Sequence, residues 1–217
     1  MELSREITLL QQVGRETEYT EDLVSIYDHG MIVAMLTEVM AKRLELPETD
    51  IEDITKAAML HDIGKLQLSA YLYGRNEGLL GIDEIRYSRM HPVLGRDVAA
   101  KTGLYNDRIL KYIYYHHENE DGTGYPERLT GEAIPLGAKV LHVCDKFVSF
   151  VSERPYRTAY TVDNALAIMA LEARNYDISL FMLLIDIVYS EDFKVIKKFI
   201  KQANERFQAE TQKKRQM

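Results

Sequence analysis

Apolar residues recur every three or four positions along most of this chain, which is the spacing of one face of an α-helix. Glycine and proline, which interrupt helices, number only 12 and 5 among 217 residues. The pattern therefore predicts an all-α fold, a helical bundle. Helices are expected at about 22–45, 161–174, 178–189 and 191–208. Two more would begin at caps: one at Thr49 or Asp50, which runs up to His61, and one at Asn106 or Asp107, which runs up to His116. A further helix would start at His91, and another would start at Pro135 and continue past Asp145.

Two stretches lack helical periodicity. Glycines at 74, 78 and 81 predict a loop over residues 71–81, with a short helix or turn resuming near Asp83. A second loop is expected over residues 121–126, where two glycines and a proline favour turns. The C-terminal helix is amphipathic and is expected to fray over 211–215.

The length and composition indicate a single domain. With 46% hydrophobic residues, 217 residues can bury a sizeable core without disulfides. Neither a repeat nor a linker divides the chain, so residues 1–217 are expected to form one catalytic domain. Its core would span about 20–190, and the amphipathic helix at about 191–208 would follow it.

Charge and cysteine usage exclude several classes. A net charge of −7 argues against binding DNA or RNA polymers or an anionic membrane, since those partners require a basic surface. Cys144 is the only cysteine, so neither an intrachain disulfide nor a zinc finger is possible. Because no apolar run could span a membrane and residues 1–6 do not resemble a secretory signal, a soluble, cytoplasmic protein is expected.

The chemistry lies in histidines and aspartates at inward helical positions or helix ends. Imidazole and carboxylate without thiolate suit iron, manganese, zinc or nickel. Seven such ligands exceed what one ion needs, whereas two ions sharing a carboxylate would use them, with Asp62 as the natural bridge. The candidate metal ligands are His29, His61, Asp62, His91, His116, His117 and Asp145.

Each of these residues also has a structural interpretation. A single buried histidine or aspartate is usually a satisfied core group. The run of His61, Asp62 and Lys65 favours a site, because burying three ionisable groups together is costly unless they pair or bind something. Arg154 and Arg157 fit either a phosphate contact or a solvated surface. The role of His142 stays open between a core group and a support for the ligands.

Three segments resemble the HD-GYP subclass of HD-domain phosphohydrolases. They are His61-Asp62-Ile63-Gly64-Lys65, His91-Pro92, and His116-His117-Glu118 with Asp121-Gly122-Thr123-Gly124-Tyr125-Pro126. The resemblance extends over about residues 20–190, through Pro135-Leu136-Gly137-Ala138 and Arg154-Pro155-Tyr156-Arg157. It implies an all-α HD-domain bundle with a dinuclear metal site in its core. The implied activity is a metal-dependent phosphodiesterase that opens cyclic di-GMP, a bacterial second messenger.

The resemblance also implies residue roles. His29, His61, Asp62 and Asp145 match the ligands of one metal, and Asp62, His91, His116 and His117 match those of the other. Asp62 and Lys65 would be the catalytic residues, and Lys65, Tyr125, Arg154 and Arg157 would contact the substrate. Two divalent ions, iron or manganese, with zinc or nickel as purified alternatives, are the expected cofactors. Ser25 stands where some relatives place a glutamate that binds a third metal, so two ions are expected.

The expected reaction is hydrolysis of cyclic di-GMP to linear pGpG by water or hydroxide that bridges the two metals, and continuation to GMP is left open. One alternative is an HD-type phosphohydrolase of another nucleotide: a hybrid cyclic dinucleotide, a guanosine polyphosphate or a nucleoside monophosphate. A second alternative is a noncatalytic module that senses a nucleotide. A homodimer or a signalling partner is left open.

Overall fold

The computed structural model describes residues 3–15, 20–72, 86–154 and 157–216, and within them the chain forms helices joined by loops, with no strand. The all-α prediction is confirmed. The helices are α1 (Ser4–Arg15), α2 (Thr20–Arg43), α3 (Glu48–Leu60), α4 (Gly64–Leu72), α5 (His91–Lys101), α6 (Asp107–Tyr115), α7 (Leu136–Val151), α8 (Val162–Leu171), α9 (Ile178–Val188) and α10 (Phe193–Gln216), with short 3₁₀ turns at Gly131–Ala133 and Ala173–Asn175.

Helices α2 and α7 form the centre of the bundle. Helix α2 packs against α3, α7 and α10, and α7 packs in turn against α6, α8 and α9. Fully buried side chains from both helices, among them Leu36, Met40, Leu141 and Phe147, fill the space between them. This apolar centre surrounds the face from which the candidate ligands project.

Helix starts follow the local sequence in most cases. The Asn106 side chain accepts hydrogen bonds from the Arg108 and Ile109 amides, which confirms it as the cap of α6. Proline precedes α7 at Pro135 and stands second in α5 after His91, as predicted.

Several predicted boundaries were wrong. Helix α3 begins at Glu48 after Pro47, so neither Thr49 nor Asp50 caps it. Residues 71 and 72 belong to α4 rather than to a loop, whereas the rest of that loop and Asp83 lie outside the described residues. Helix α8 ends at Leu171, and α10 continues to Gln216 instead of fraying from 211. Helix α1 was not predicted.

Two glycines allow helices to approach closely near the candidate site. A Cβ added at Gly64 would lie 2.1 Å from the His91 carbonyl oxygen, and one at Gly30 would lie 2.7 Å from the Met59 carbonyl oxygen. Both distances are far inside van der Waals contact. Glycine at 64 therefore lets the start of α4 rest on the start of α5, which brings Asp62 next to His91.

None of the helices in the described part of the chain combines the length and the apolarity that crossing a lipid bilayer would require.

Candidate metal centre

Five separate segments supply the predicted ligands. They converge on one buried cluster, in which only His117 is partly exposed. His29 projects from α2 and Asp145 from α7, His61 and Asp62 follow the end of α3, His91 opens α5, and His116 and His117 follow the end of α6. The structure thus brings all seven together, although their role as ligands stays a prediction.

One half of the cluster contains His29, His61, Asp62 and Asp145. His29 Nε2 lies 2.8 Å from Asp145 Oδ1 and 3.8 Å from Asp62 Oδ2. His61 Nε2 lies 3.5 Å from each of the same two carboxylate oxygens. Two imidazole nitrogens and two carboxylate oxygens therefore face a common point. His29, His61 and Asp62 meet the spacing of a metal-binding group.

The other half contains His91, His116 and His117. His91 Nε2 lies 3.1 Å from Nε2 of both other histidines. These three residues form a second group with metal-binding spacing.

Asp62 joins the two halves. Its Oδ2 faces His29 and His61, whereas its Oδ1 lies 3.3 Å from His91 Nε2. Asp62 thus offers one oxygen to each of the two groups, and its role as a bridge between two ions stays a prediction.

The backbone fixes the protonation of three of these imidazoles. Nδ1 of His61, His91 and His116 donates to the carbonyl oxygens of Ala58, Ser88 and Ile113, at 2.7, 2.6 and 2.7 Å respectively. A carbonyl can only accept, so Nδ1 carries a proton, and Nε2 of the neutral imidazole presents a lone pair. This is the arrangement typical of histidines that bind metal through Nε2.

The proton on Nδ1 matters most for the pair His91 and His116. Both Nε2 atoms carry lone pairs, and they face each other at 3.1 Å with no proton between them. Two acceptors at that distance repel unless a cation lies between them. His61 Nε2 and Asp62 Oδ1 are also buried without a hydrogen-bond partner. The residues present therefore fit a pair of divalent ions.

Burial and neighbouring charge shift the pKa values in this cluster. Burial lowers the pKa of His29 and of His91 to about 4 and holds that of His116 and His117 well below the usual range. Neutral imidazole is the form that binds a metal.

The two aspartates stay ionised despite burial. Desolvation would raise the pKa of Asp62, but Lys65 and the surrounding histidines outweigh it and hold that pKa well below the usual range. The histidine hydrogen bonds do the same for Asp145. Desolvation likewise opposes charge on His61, yet the two carboxylates raise its pKa. A metal ion would compete with that proton.

The predicted substrate contacts differ in their surroundings. Lys65 Nζ lies 2.6 Å from Asp62 Oδ2 and remains partly exposed, so its ammonium stands beside the cluster. Arg154 Nη2 lies 3.4 Å from His29 Nδ1. Arg157 instead donates to the carbonyl oxygens of Ser149, Phe150 and Thr158, so its guanidinium is engaged at the end of α7. Pro155 and Tyr156 lie outside the described residues.

Tyr125 lies directly against the ligand cluster. Its ring stacks on His117 with centroids 4.8 Å apart and planes 30° apart, and its amide donates to the His117 carbonyl oxygen at 3.0 Å. A Cβ at Gly124 would lie 2.3 Å from the Asn119 nitrogen, so only glycine fits there. The loop therefore packs onto the segment that follows the paired histidines.

Glu118 holds this loop closed, a role that sequence reasoning missed. Its carboxylate is buried and accepts hydrogen bonds from the amides of Glu127, Arg128 and Leu129, at 2.7, 3.0 and 2.9 Å. The sequence feature that could have indicated this role is the position of Glu118 directly after two candidate ligands. Its partners could not be foreseen, because they lie nine to eleven residues further along the chain.

His142 supports the paired histidines from α7. Its Nδ1 lies 2.8 Å from the His116 carbonyl oxygen, and its ring is buried against Tyr176. Burial lowers the pKa of His142, which keeps the imidazole neutral. The contact favours a supporting role over a direct ligand role.

Comparison with known proteins agrees with this geometry. A family model described as HD domain matches residues 7–180. The chain is 34% identical over 178 residues to the cyclic di-GMP phosphodiesterase response regulator RpfG of Xanthomonas campestris pv. campestris, covering 80% of this chain and 46% of that protein. It is 35% identical over 141 residues to 3'3'-cGAMP-specific phosphodiesterase 3 of Vibrio cholerae, covering 65% and 30%. The chain thus spans less than half the length of either relative.

A solved structure shares the fold. Bd1817, a HDG"Y"P protein from Bdellovibrio bacteriovorus, superposes with a TM-score of 0.63 at 18% identity, covering 78% of this chain and 54% of that one. At this identity the likeness concerns the fold alone. The family match establishes that this chain belongs to the HD domain family. The motifs at residues 61–65, 91–92 and 116–126 are the ones by which it resembles the HD-GYP subclass.

Proposed function

We propose that this chain is a metal-dependent phosphodiesterase that hydrolyses cyclic di-GMP to linear pGpG, and further to GMP. The observation that carries the proposal is Asp62, whose two oxygens face two separate groups of imidazole lone pairs. Two divalent ions held there would supply an activated water molecule and neutralise charge on the phosphate oxygens. Iron or manganese suits this mixture of imidazole and carboxylate.

The remaining roles belong to the side chains. Asp62 holds both halves of the cluster in register, and His29 and Asp145 close one half. Lys65 lies beside Asp62, where its ammonium can donate to the phosphate under attack and stabilise the charge that develops on it. The Nδ1 hydrogen bonds to backbone carbonyls keep the imidazoles oriented throughout, so the site is organised before substrate arrives.

The names of similar proteins indicate the substrate class. Proteins named as cyclic di-GMP phosphodiesterases and as 3'3'-cGAMP-specific phosphodiesterases both resemble this chain at about one third identity. We propose cyclic di-GMP as the preferred substrate, and the hybrid cyclic dinucleotide is the second candidate. A cytoplasmic location is part of this proposal, because such messengers act inside the cell. The same proposal includes assembly as a homodimer or with a signalling partner.

A substrate panel tests the proposal. Protein purified without oxygen is incubated with cyclic di-GMP, 3'3'-cGAMP, a guanosine polyphosphate and GMP, and the products are separated by chromatography. We expect pGpG as the first product from cyclic di-GMP and slower turnover of the hybrid. Faster turnover of 3'3'-cGAMP would reverse the preference. Hydrolysis of mononucleotides only, or binding without hydrolysis of any of them, would overturn the proposed activity.

A further inference from the structure

Arg89 lies on the outer side of the metal centre and is not among the residues that the sequence motifs indicated. It is exposed and precedes His91 by two residues. Its guanidinium carbon lies 5.4 Å from the centroid of the Tyr125 ring. The same ring stacks on His117 and meets the edge of His91, two candidate ligands. His117, Tyr125 and Arg89 thus lead outward from the metal centre to the rim.

This arrangement limits what Tyr125 itself can do. Its ring stacks on His117 and also carries the Arg89 guanidinium, and burial raises the pKa of its hydroxyl. A purine base therefore cannot stack on Tyr125 without displacing Arg89. The group that an incoming ligand meets at this rim is the guanidinium.

Among the residues that the structure describes, no carboxylate pairs with Arg89. Other arginines near the bundle surface pair with carboxylates, as Arg96 does with Asp97 and Arg108 with Asp50. Within the residues that the structure describes, Arg89 makes no ion pair and no hydrogen bond, and Tyr125 is its contact. An aromatic ring positions a guanidinium while leaving all five N–H donors for another partner. Bidentate donation to phosphate is the strongest use of such a group.

A cyclic dinucleotide carries two phosphates, and Lys65 with the metal centre accounts for only the one under attack. Arg157, which the motifs suggested as a second phosphate contact, spends donors on the carbonyls at the end of α7. Arg157 therefore offers few donors to a second phosphate. Arg154 lies on the His29 side of the cluster, whereas Arg89 lies on the Tyr125 side.

We propose that Arg89, held by Tyr125, binds the phosphate of the cyclic dinucleotide that is not under attack. This inference rests on the proposed function. It makes Arg89 a determinant of specificity for substrates with two phosphates over simple phosphodiesters.

Equilibrium binding tests the assignment. The probe is cyclic di-GMP with both phosphates replaced by phosphorothioates, which slows turnover, and calorimetry gives its Kd. The variants are Arg89→Gln, Arg89→Lys and, as the control, Lys101→Gln at the opposite end of α5, about 15 Å away along the helix. We expect Arg89→Gln to weaken binding about tenfold, which corresponds to about 1.4 kcal/mol. Arg89→Lys should recover part of the loss, and Lys101→Gln should match the unmodified protein.

A second substrate separates this inference from the proposed function. Hydrolysis of bis(p-nitrophenyl) phosphate, which has one phosphate, is measured on the same proteins together with metal content. We expect equal rates and equal metal content in all of them. If the unmodified chain hydrolyses neither substrate but Arg89→Gln still weakens binding, the proposed activity fails while the Arg89 site stands. Equal Kd values for Arg89→Gln and the unmodified chain, or loss of metal and of both activities in Arg89→Gln, would overturn the Arg89 assignment.

Discussion

Gly64 rests against the backbone of His91 so closely that a single added carbon would lie 2.1 Å from the His91 carbonyl oxygen. This contact couples the turn carrying His61 and Asp62 to the start of α5. It therefore sets the distance between the two halves of the candidate metal centre. Gly64 thus has a structural role in the 61–65 motif beside the candidate ligands His61 and Asp62.

Gly64→Ala should displace His91 and separate it from Asp62. Overpacking of this kind costs about 1–3 kcal/mol, so we expect a lower Tm together with loss of metal from the His91 half. Gly95→Ala is the graded comparison, because its Cβ would meet Ile113 Cγ2 at 3.3 Å and the Gly64 nitrogen at 3.4 Å, which are milder contacts. Thermal unfolding and metal analysis check both variants. Full metal content in Gly64→Ala would show that the contact does not set the ligand spacing.

Glu118→Gln should loosen the loop that carries Tyr125 without disturbing the ligands. The amide side chain replaces one acceptor oxygen with a donor, which leaves at least one amide among residues 127–129 without its partner, at a cost of about 1 kcal/mol. We expect KM for cyclic di-GMP to rise while metal content is kept. The control is Glu127→Gln, whose exposed carboxylate accepts only from the Tyr114 hydroxyl. An unchanged KM in Glu118→Gln would contradict this role.

His142→Ala should weaken binding of the ion held by His116. Removing a hydrogen bond that orients a ligand segment typically costs about 10–100-fold in metal affinity, and the bond lost here is the one from His142 Nδ1 to the His116 carbonyl oxygen. His142→Asn retains a donor near the same position and should restore much of the affinity. Competition with a metal-binding dye measures both variants. Equal affinity in the alanine and asparagine variants would show that the hydrogen bond is not what matters.

Chelation should destabilise the folded chain. Without a cation, the lone pairs of His91 and His116 face each other at 3.1 Å, and the buried carboxylates of Asp62 and Asp145 lose their strongest partner. Ligands that bind only the folded state add stability of about 2.7 kcal/mol at a free concentration of 100 Kd. We therefore expect a chelator to lower Tm by several degrees and added manganese to restore it. A Tm that does not respond to metal would contradict the proposed fit.

Much of this site was accessible from the sequence because its residue types are distinctive. His61 with Asp62, and His116 with His117, lie at the ends of apolar helical stripes, so their inward direction follows from periodicity. His29 and Asp145 were harder to predict as site residues, since each is an isolated polar residue on an apolar face. Only their contact with each other in the structure indicates a shared site.

The rest depends on contacts between distant residues. Glu118 binds amides that follow it by about ten positions, and His142 reaches the backbone of a residue 26 positions earlier. Neither spacing follows a helical period. For Arg157 the motif predicts a contact with the substrate, whereas in the structure its guanidinium donates to carbonyl oxygens at the end of α7.

The most direct test of the central claim is the number of metal ions per chain in the unmodified protein and in a variant carrying both His61→Ala and Asp62→Ala. Elemental analysis of protein purified without oxygen, paired with the cyclic di-GMP assay, gives both quantities, and circular dichroism verifies that the variant is folded. The account predicts two ions and turnover in the unmodified protein, and neither in the folded double variant. A double variant that keeps two ions and full turnover would contradict it.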